Sequence, residues 1–162
     1  MEIYLLRHGI AEEPAPGQSD ADRALTAEGR KKLRAVLESA ADAGVCPALI
    51  ITSPLRRAVQ TAEIATETLE YKGDVLRSRV LRPEAEPAEA WEEIRLHRDV
   101  PSLLLAGHEP LFGSLFAFLL GDPSLQVDFK KGALARIDVG SFGARPRGVL
   151  KWMLTPRLVR ER

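Results

Sequence analysis

Two of the three histidines stand in short, unusual contexts, Arg7-His8-Gly9 and Gly107-His108-Glu109-Pro110. A third stretch, Ser53-Pro54-Leu55-Arg56-Arg57, contributes adjacent arginines. Imidazoles and guanidiniums together suit a multiply charged anion. Arginine's planar fork binds two phosphoryl oxygens at once and stays ionised at any working pH. In phosphoryl transfer, charge spreads over three equatorial oxygens, so fixed cations around them lower the barrier. A neutral imidazole can attack phosphorus through one ring nitrogen while the other donates to a fixed acceptor, which sets the tautomer. Water then attacks the phosphohistidine and regenerates the imidazole. No cluster of Asp or Glu at metal-ligand spacing accompanies these residues, so the arginines stand where magnesium stands elsewhere. Neither a metal nor a cofactor is expected.

Such chemistry needs elements that bring distant residues together. Residues 2–6 read as a short buried strand, and 48–52 and 102–106 are further apolar runs; 74–80 is a weaker strand candidate. Thr26 is placed to cap a helix in which Leu33, Val36, Leu37, Ala40 and Ala41 recur at helical spacing up to Gly44. Ser53-Pro54 reads as the start of the next helix, with Leu55, Ala58, Val59, Ala62, Ala65 and Leu69 on one face. Pro87 opens an acidic helix ending near Arg98. Residues 111–120 form a very apolar helix stopped by Gly121-Asp122-Pro123. Residues 11–25 read as a polar loop, and 133–139 with 148–154 as a hairpin.

Strands alternating with helices predict an α/β fold, a three-layer α/β/α sandwich around a mostly parallel sheet with a C-terminal β-hairpin. One domain over residues 1–162 is expected, since no repeat, low-complexity tract or linker divides the chain. In such a sheet the strands' carboxyl ends share one edge, and ligands bind there. The three stretches are therefore expected to meet, with helix N-termini adding N–H donors and partial positive charge. Gly9 is expected to let the backbone turn sharply beside the substrate.

Composition narrows the function classes. Lys plus Arg and Asp plus Glu each count 23, a formal net charge of zero, which gives no support for nucleic-acid binding. The single cysteine, Cys46, cannot form an internal disulfide, and no Cys/His zinc spacing exists. Thr52 stands where a thiol phosphatase following Cys46 would need its arginine, so Cys46 reads as inert. Asp20 and Asp22 lie in the polar loop rather than at a strand end, unlike a phosphoryl-accepting aspartate. No apolar run reaches the length of a membrane span, and the start of the chain lacks a signal-peptide pattern, so a cytoplasmic protein without membrane partners is expected. The oligomeric state is not legible.

Taken as a set, these motifs resemble the histidine phosphatase superfamily, the phosphoglycerate mutase-like enzymes. Arg7-His8-Gly9 looks like the family's first signature, Ser53-Pro-Leu-Arg-Arg-Ala-Val-Gln-Thr-Ala62 its second and Gly107-His108 its third. Arg23-Ala-Leu-Thr-Ala-Glu-Gly29 resembles the loop before the first helix, and with the short length it is most similar to the SixA-type phosphohistidine phosphatases. The resemblance implies His8 as nucleophile, with Arg7, Arg57 and His108 binding the phosphoryl group. Arg23 either reaches the pocket or makes a surface salt bridge. Arg56 is expected to face solvent, Ser53 to cap a helix rather than react, Glu109 to cap the helix it precedes, and His97 to have no role.

Many superfamily members carry an acidic proton donor between the second and third motifs. Glu84 is the candidate here; the alternative is a solvated acidic segment. An alkoxide leaving group needs a general acid, whereas an imidazole, whose conjugate acid titrates near 6.5, leaves more easily. The expected substrate is thus phosphohistidine on a partner protein. The alternatives are a small phosphorylated substrate hydrolysed by a phosphomonoesterase of the same superfamily, and a non-catalytic phosphate- or phosphoprotein-binding module. The chain has no long insertion to cover its site, which suits a histidine projecting from a protein surface.

Overall fold

The computed structural model describes residues 1–161. Six strands form one sheet in the order β3-β2-β4-β1-β5-β6. They are β1 (Glu2–Arg7), β2 (Leu49–Thr52), β3 (Val75–Arg77), β4 (Ser102–Gly107), β5 (Leu134–Asp138) and β6 (Val149–Leu154). The first four are mutually parallel, and β5 runs antiparallel to both β1 and β6. The expected hairpin is thus present, extending the sheet beyond β1.

Alternation along the strands dictates the layers. Ile3, Leu5, Ile51, Leu103 and Leu105 face one side and pack against α3 (Pro87–Leu96) and α4 (Leu111–Leu120) through Trp91, Ile94, Phe112 and Leu115. Tyr4, Leu6, Ile50, Leu104 and Ala106 face the other side, against α1 (Ala27–Asp42) and α2 (Arg56–Thr68) through Leu33, Val36, Leu37, Ala62 and Ala65. Helices on both faces make the predicted three-layer sandwich. The β1 and β4 side chains from Ile3 to Leu6 and Leu103 to Ala106 are at most 1% exposed, so neither strand has a solvent face.

Helix ends follow local chemistry. Thr26 caps α1 by accepting from the Gly29 amide, and Pro87 occupies the first turn of α3 behind a Glu86/Glu89 capping box. Gly121 takes the left-handed conformation that ends α4.

Three expectations shift. The second helix begins at Arg56 rather than at Pro54, because Leu55 is extended and Ser53 Oγ accepts from the Leu55 amide in a preceding turn. The strand expected over 74–80 stops at Arg77, where a 3-10 turn over Arg79–Leu81 folds Leu81 into the core. The acidic helix ends at Leu96, two residues before Arg98.

Candidate active site

Strand order explains why the three motifs meet. β4 lies between β2 and β1, so residues leaving both neighbours pass its carboxyl end. The His8 amide donates to Gly107 O (2.9 Å), and the Ser53 amide donates to Ala106 O (2.9 Å). His108 follows immediately. The rings of His8 and His108 stand 5.0 Å apart, tilted by 55°.

His8 Nδ1 lies 2.7 Å from Gly9 O. A carbonyl oxygen only accepts, so Nδ1 carries the ring proton and Nε2 keeps a bare lone pair. Burial pushes the His8 pKa down to about 3; the Gly9 bond opposes it, and the charges of Arg57, Arg7 and Lys131 add smaller downward effects. His8 is therefore neutral at any ordinary pH. Gly9 is needed for a different reason from the one expected: it is not among the positive-φ glycines, but a Cβ there would lie 3.1 Å from Gly29 O. The β1 end packs so closely against the start of α1 that a side chain here would make the α1 backbone give by a few tenths of an ångström.

His108 is 1% exposed, with Nε2 2.8 Å from Ser53 Oγ. Its other ring nitrogen, Nδ1, is buried and bonds nothing in the protein. Burial, then His8, Arg57, Arg7 and Arg23, bring its pKa to about 2. Ser53 thus does more than shape a turn; it holds the second imidazole.

The arginines are held by backbone and loop. Arg7 Nη1 donates to Phe129 O (2.6 Å), and Phe129 is fixed edge-on against Phe112 and Phe116 in the core. Arg57, 4% exposed in the first turn of α2, donates from Nη1 to Asp20 O (2.9 Å) and from Nη2 to Asp20 Oδ2 (3.1 Å). Arg23 reaches the same carboxylate through Nε (2.9 Å) and bonds Glu12 O through Nη1 (3.1 Å). Arg23 thus makes a salt bridge, to the carboxylate that also holds Arg57. Arg7 Nε and Arg57 Nε are buried and unpartnered, like His108 Nδ1. Burial lowers the pKa of both guanidiniums, and an arginine side chain stays charged in a protein.

Asp20 was read from sequence as part of a polar loop, and the structure brings it into the site. The loop forms one 3-10 turn, Asp20–Asp22, capped by Ser19, which sets Asp20 against α2. The Asp20-x-x-Arg23 spacing was the available signal. Thr61 was also missed: its hydroxyl donates to Arg57 O (2.8 Å) and accepts from the Gly9 amide (3.3 Å), tying the second motif to the first. Gln60 Oε1 accepts from the Leu25 amide (2.8 Å) and holds the loop's far end.

The other candidates make no side-chain hydrogen bond to His8, His108, Arg7 or Arg57 among the described residues. Arg56 is exposed and reaches only Asp22 O. Glu109 caps α4 by accepting from the Gly113 amide, and burial pushes its carboxyl above the usual range. Because that carboxylate occupies the helix start, α4 does not offer the Gly113 donor to an anion. Glu84 is exposed, and none of the site's hydrogen bonds or ion pairs reaches it. His97 faces Glu93, one turn back on α3. Among the described residues, no group of three or more His, Cys, Asp or Glu side chains is placed to hold a metal ion. No described helix is long and apolar enough to cross a membrane.

What the arrangement offers is one bare imidazole nitrogen beside three buried, unpartnered nitrogens from three motifs: Arg7 Nε, Arg57 Nε and His108 Nδ1. Comparison with known proteins agrees. The sequence model of the histidine phosphatase superfamily (branch 1) matches residues 3–82. An uncharacterized protein of Picosynechococcus sp. is 33% identical over 143 residues, covering 87% of each chain. A structure of the protein histidine phosphatase SixA complexed with tungstate superimposes with TM-score 0.85 at 25% identity, over 97% of this chain and 98% of the other. A SixA-named structure from Agrobacterium tumefaciens gives 0.82 at 27%, over 96% and 97%. A mycobacterial glucosyl-3-phosphoglycerate phosphatase shares the fold, with TM-score 0.68 at 20% identity over 93% and 97%. With the family's sequence model matching residues 3–82 and the SixA architecture matching along nearly the whole length, the chain belongs to the histidine phosphatase superfamily, in its SixA-type branch.

Proposed function

We propose that the protein is a metal-independent phosphatase that removes phosphoryl groups from histidine on a partner protein, through a covalent phosphohistidine on His8. The observation that carries this reading is the set of buried, unpartnered donors Arg7 Nε, Arg57 Nε and His108 Nδ1 around an imidazole whose Nε2 is free. Buried donors without partners are costly, and a bound oxyanion satisfies all three.

The steps follow from these atoms. His8 Nε2 attacks phosphorus in line while Arg7 and Arg57 balance the charge on the equatorial oxygens. Ser53 donates its hydroxyl proton to His108 Nε2, so the ring proton sits on Nδ1 and points a neutral donor at the phosphoryl group. The N–P bond of the substrate breaks, and its imidazole, already protonated on the other nitrogen, departs neutral. No enzyme acid is required. Phospho-His8 keeps its Nδ1 proton on Gly9 O, which makes it an equally good leaving group. Water attacks phosphorus, releases phosphate and restores neutral His8.

A substrate that supplies its own leaving-group proton suits a site in which Glu84 stands exposed and outside the bonded network. Glu84 is the remaining candidate donor should an ester be the substrate. The SixA structures of the same architecture support the phosphohistidine reading.

The test is a panel of a phosphohistidine-bearing protein, free phosphoimidazole and sugar phosphates, with and without EDTA. Highest kcat/KM on the phosphohistidine protein, unchanged by EDTA, is expected. Highest kcat/KM on a sugar phosphate would move the assignment to a small-molecule phosphomonoesterase. Phosphate binding without turnover would leave a binding module.

A further inference from the structure

A cleft of about 700 Å³ opens beside Arg7, away from the His8–His108 pair, and runs to the turn after β6. Its rim carries Arg7, Lys32, Lys130, Lys131 and Arg157 against one carboxylate, Asp128. That is five cations to one anion in a chain whose formal net charge is zero. Asp128 is already paired with Lys130 (2.8 Å), and Lys32 with Glu28. Lys131 and Arg157 are exposed and pair with no carboxylate among the described residues. Ile10, Thr155 and Pro156 supply a less polar floor.

The cleft is rigidly tied to the reactive centre. The Gly132 amide donates to both Arg7 O (3.1 Å) and His8 O (3.0 Å). Gly132 has φ +75°, and a Cβ there would meet the ring of Pro156 at 3.2 Å, so the turn carrying Lys131 needs glycine on both counts. Lys131 is close enough to depress the pKa of His8. The cleft thus reaches Arg7, the residue immediately before His8.

We propose that the cleft docks an acidic polypeptide: carboxylate side chains flanking the substrate's phosphohistidine pair with Lys131 and Arg157, while the phosphoryl group enters beside Arg7. The inference rests on the phosphohistidine reading above and extends it to the partner's surface. A single phosphate would fill a small part of this volume, whereas separated, unpaired cations over a partly apolar floor match several side chains of an extended segment. The contacts are exposed, so their effect is on encounter and discrimination more than on chemistry.

Two phosphohistidine peptides of equal length, one flanked by Asp and Glu and the other by Asn and Gln, read this out. At low salt the acidic peptide is expected to show kcat/KM about tenfold higher. The ratio is expected to approach unity at high salt and in Lys131→Gln/Arg157→Gln, with the neutral peptide as internal reference in each case. Equal kcat/KM for the two peptides in the wild type, or a preference untouched by the double variant, overturns the proposal. If neither peptide is turned over, the phosphohistidine reading fails, and titration calorimetry with the unphosphorylated acidic peptide decides the cleft separately. Binding that weakens in the double variant supports an acidic docking groove, and absence of binding overturns it.

Discussion

Ser53 Oγ lies 2.8 Å from His108 Nε2, joining the residue that leaves β2 to the residue that leaves β4. The contact exists because β2 and β4 are neighbours in register, with Thr52 opposite Ala106. The Ser53 hydroxyl also accepts from the Leu55 amide, so its proton is free to go to the imidazole. A bond that fixes a tautomer controls which nitrogen can donate to a phosphoryl oxygen.

Removing that bond should therefore change chemistry before stability. Ser53→Ala is expected to lower kcat about tenfold or more, with Ser53→Thr retaining most activity, in line with the cost of losing a positioned donor. Steady-state kinetics beside thermal unfolding checks this. Equal kcat for Ser53→Ala and wild type would remove Ser53 from the mechanism.

Arg57 tests fork against point charge. Arg57→Lys keeps the positive charge but loses the planar donors, and kcat/KM is expected to fall about 100-fold. Tungstate inhibition should weaken in parallel. A lysine variant with near-normal rates would show that net charge alone suffices.

Asp20 acts through the two arginines that it holds. It accepts from each Nη of Arg57, through its backbone carbonyl and its carboxylate, and leaves Nε unpartnered, while also binding Arg23. Asp20→Ala should raise KM and the tungstate inhibition constant by about tenfold, since the forks lose their fixed aim while kcat falls less. Tighter tungstate binding in this variant would mean that the carboxylate competes for the arginines rather than aiming them.

Acid should destabilise the fold through the two buried imidazoles. The native protein holds His8 neutral to about pH 3 and His108 to about pH 2, whereas a free histidine titrates near 6.5. Between these values the unfolded chain binds more protons, so stability rises with pH and is lost as pH falls below 6.5. Each histidine contributes up to about 1.4 kcal/mol per pH unit within its window. Urea unfolding at pH 7 and pH 5 should show a smaller pH difference in His108→Gln than in the wild type. An identical difference would mean that His108 titrates alike in both states.

The parts of this site that were legible in sequence are those written locally. Arg7-His8-Gly9 and Gly107-His108 each follow a short apolar run, and parallel topology alone brings such strand ends to one edge. The alternation that buries Ile3 on one face and Tyr4 on the other is likewise local. The partners were not legible because they depend on which strands are neighbours. Ser53 meets His108 only because β4 follows β2 in the sheet, although fifty-five residues separate them. Asp20 meets Arg57 only because a surface loop folds back onto α2. Pro54 suggested a helix start two residues early, because a Ser-Pro pair fits a preceding turn as well as a first helical turn.

The central claim is that Nε2 of His8 carries the phosphoryl group during turnover. Quenching the enzyme in base during hydrolysis of a phosphorus-labelled substrate, then mapping the label, tests it directly. A base-stable, acid-labile phosphoryl group is expected on His8 and is expected to be absent in His8→Asn, together with loss of hydrolysis in that variant. Hydrolysis that persists in His8→Asn at the wild-type rate, or label on a different residue, would contradict it.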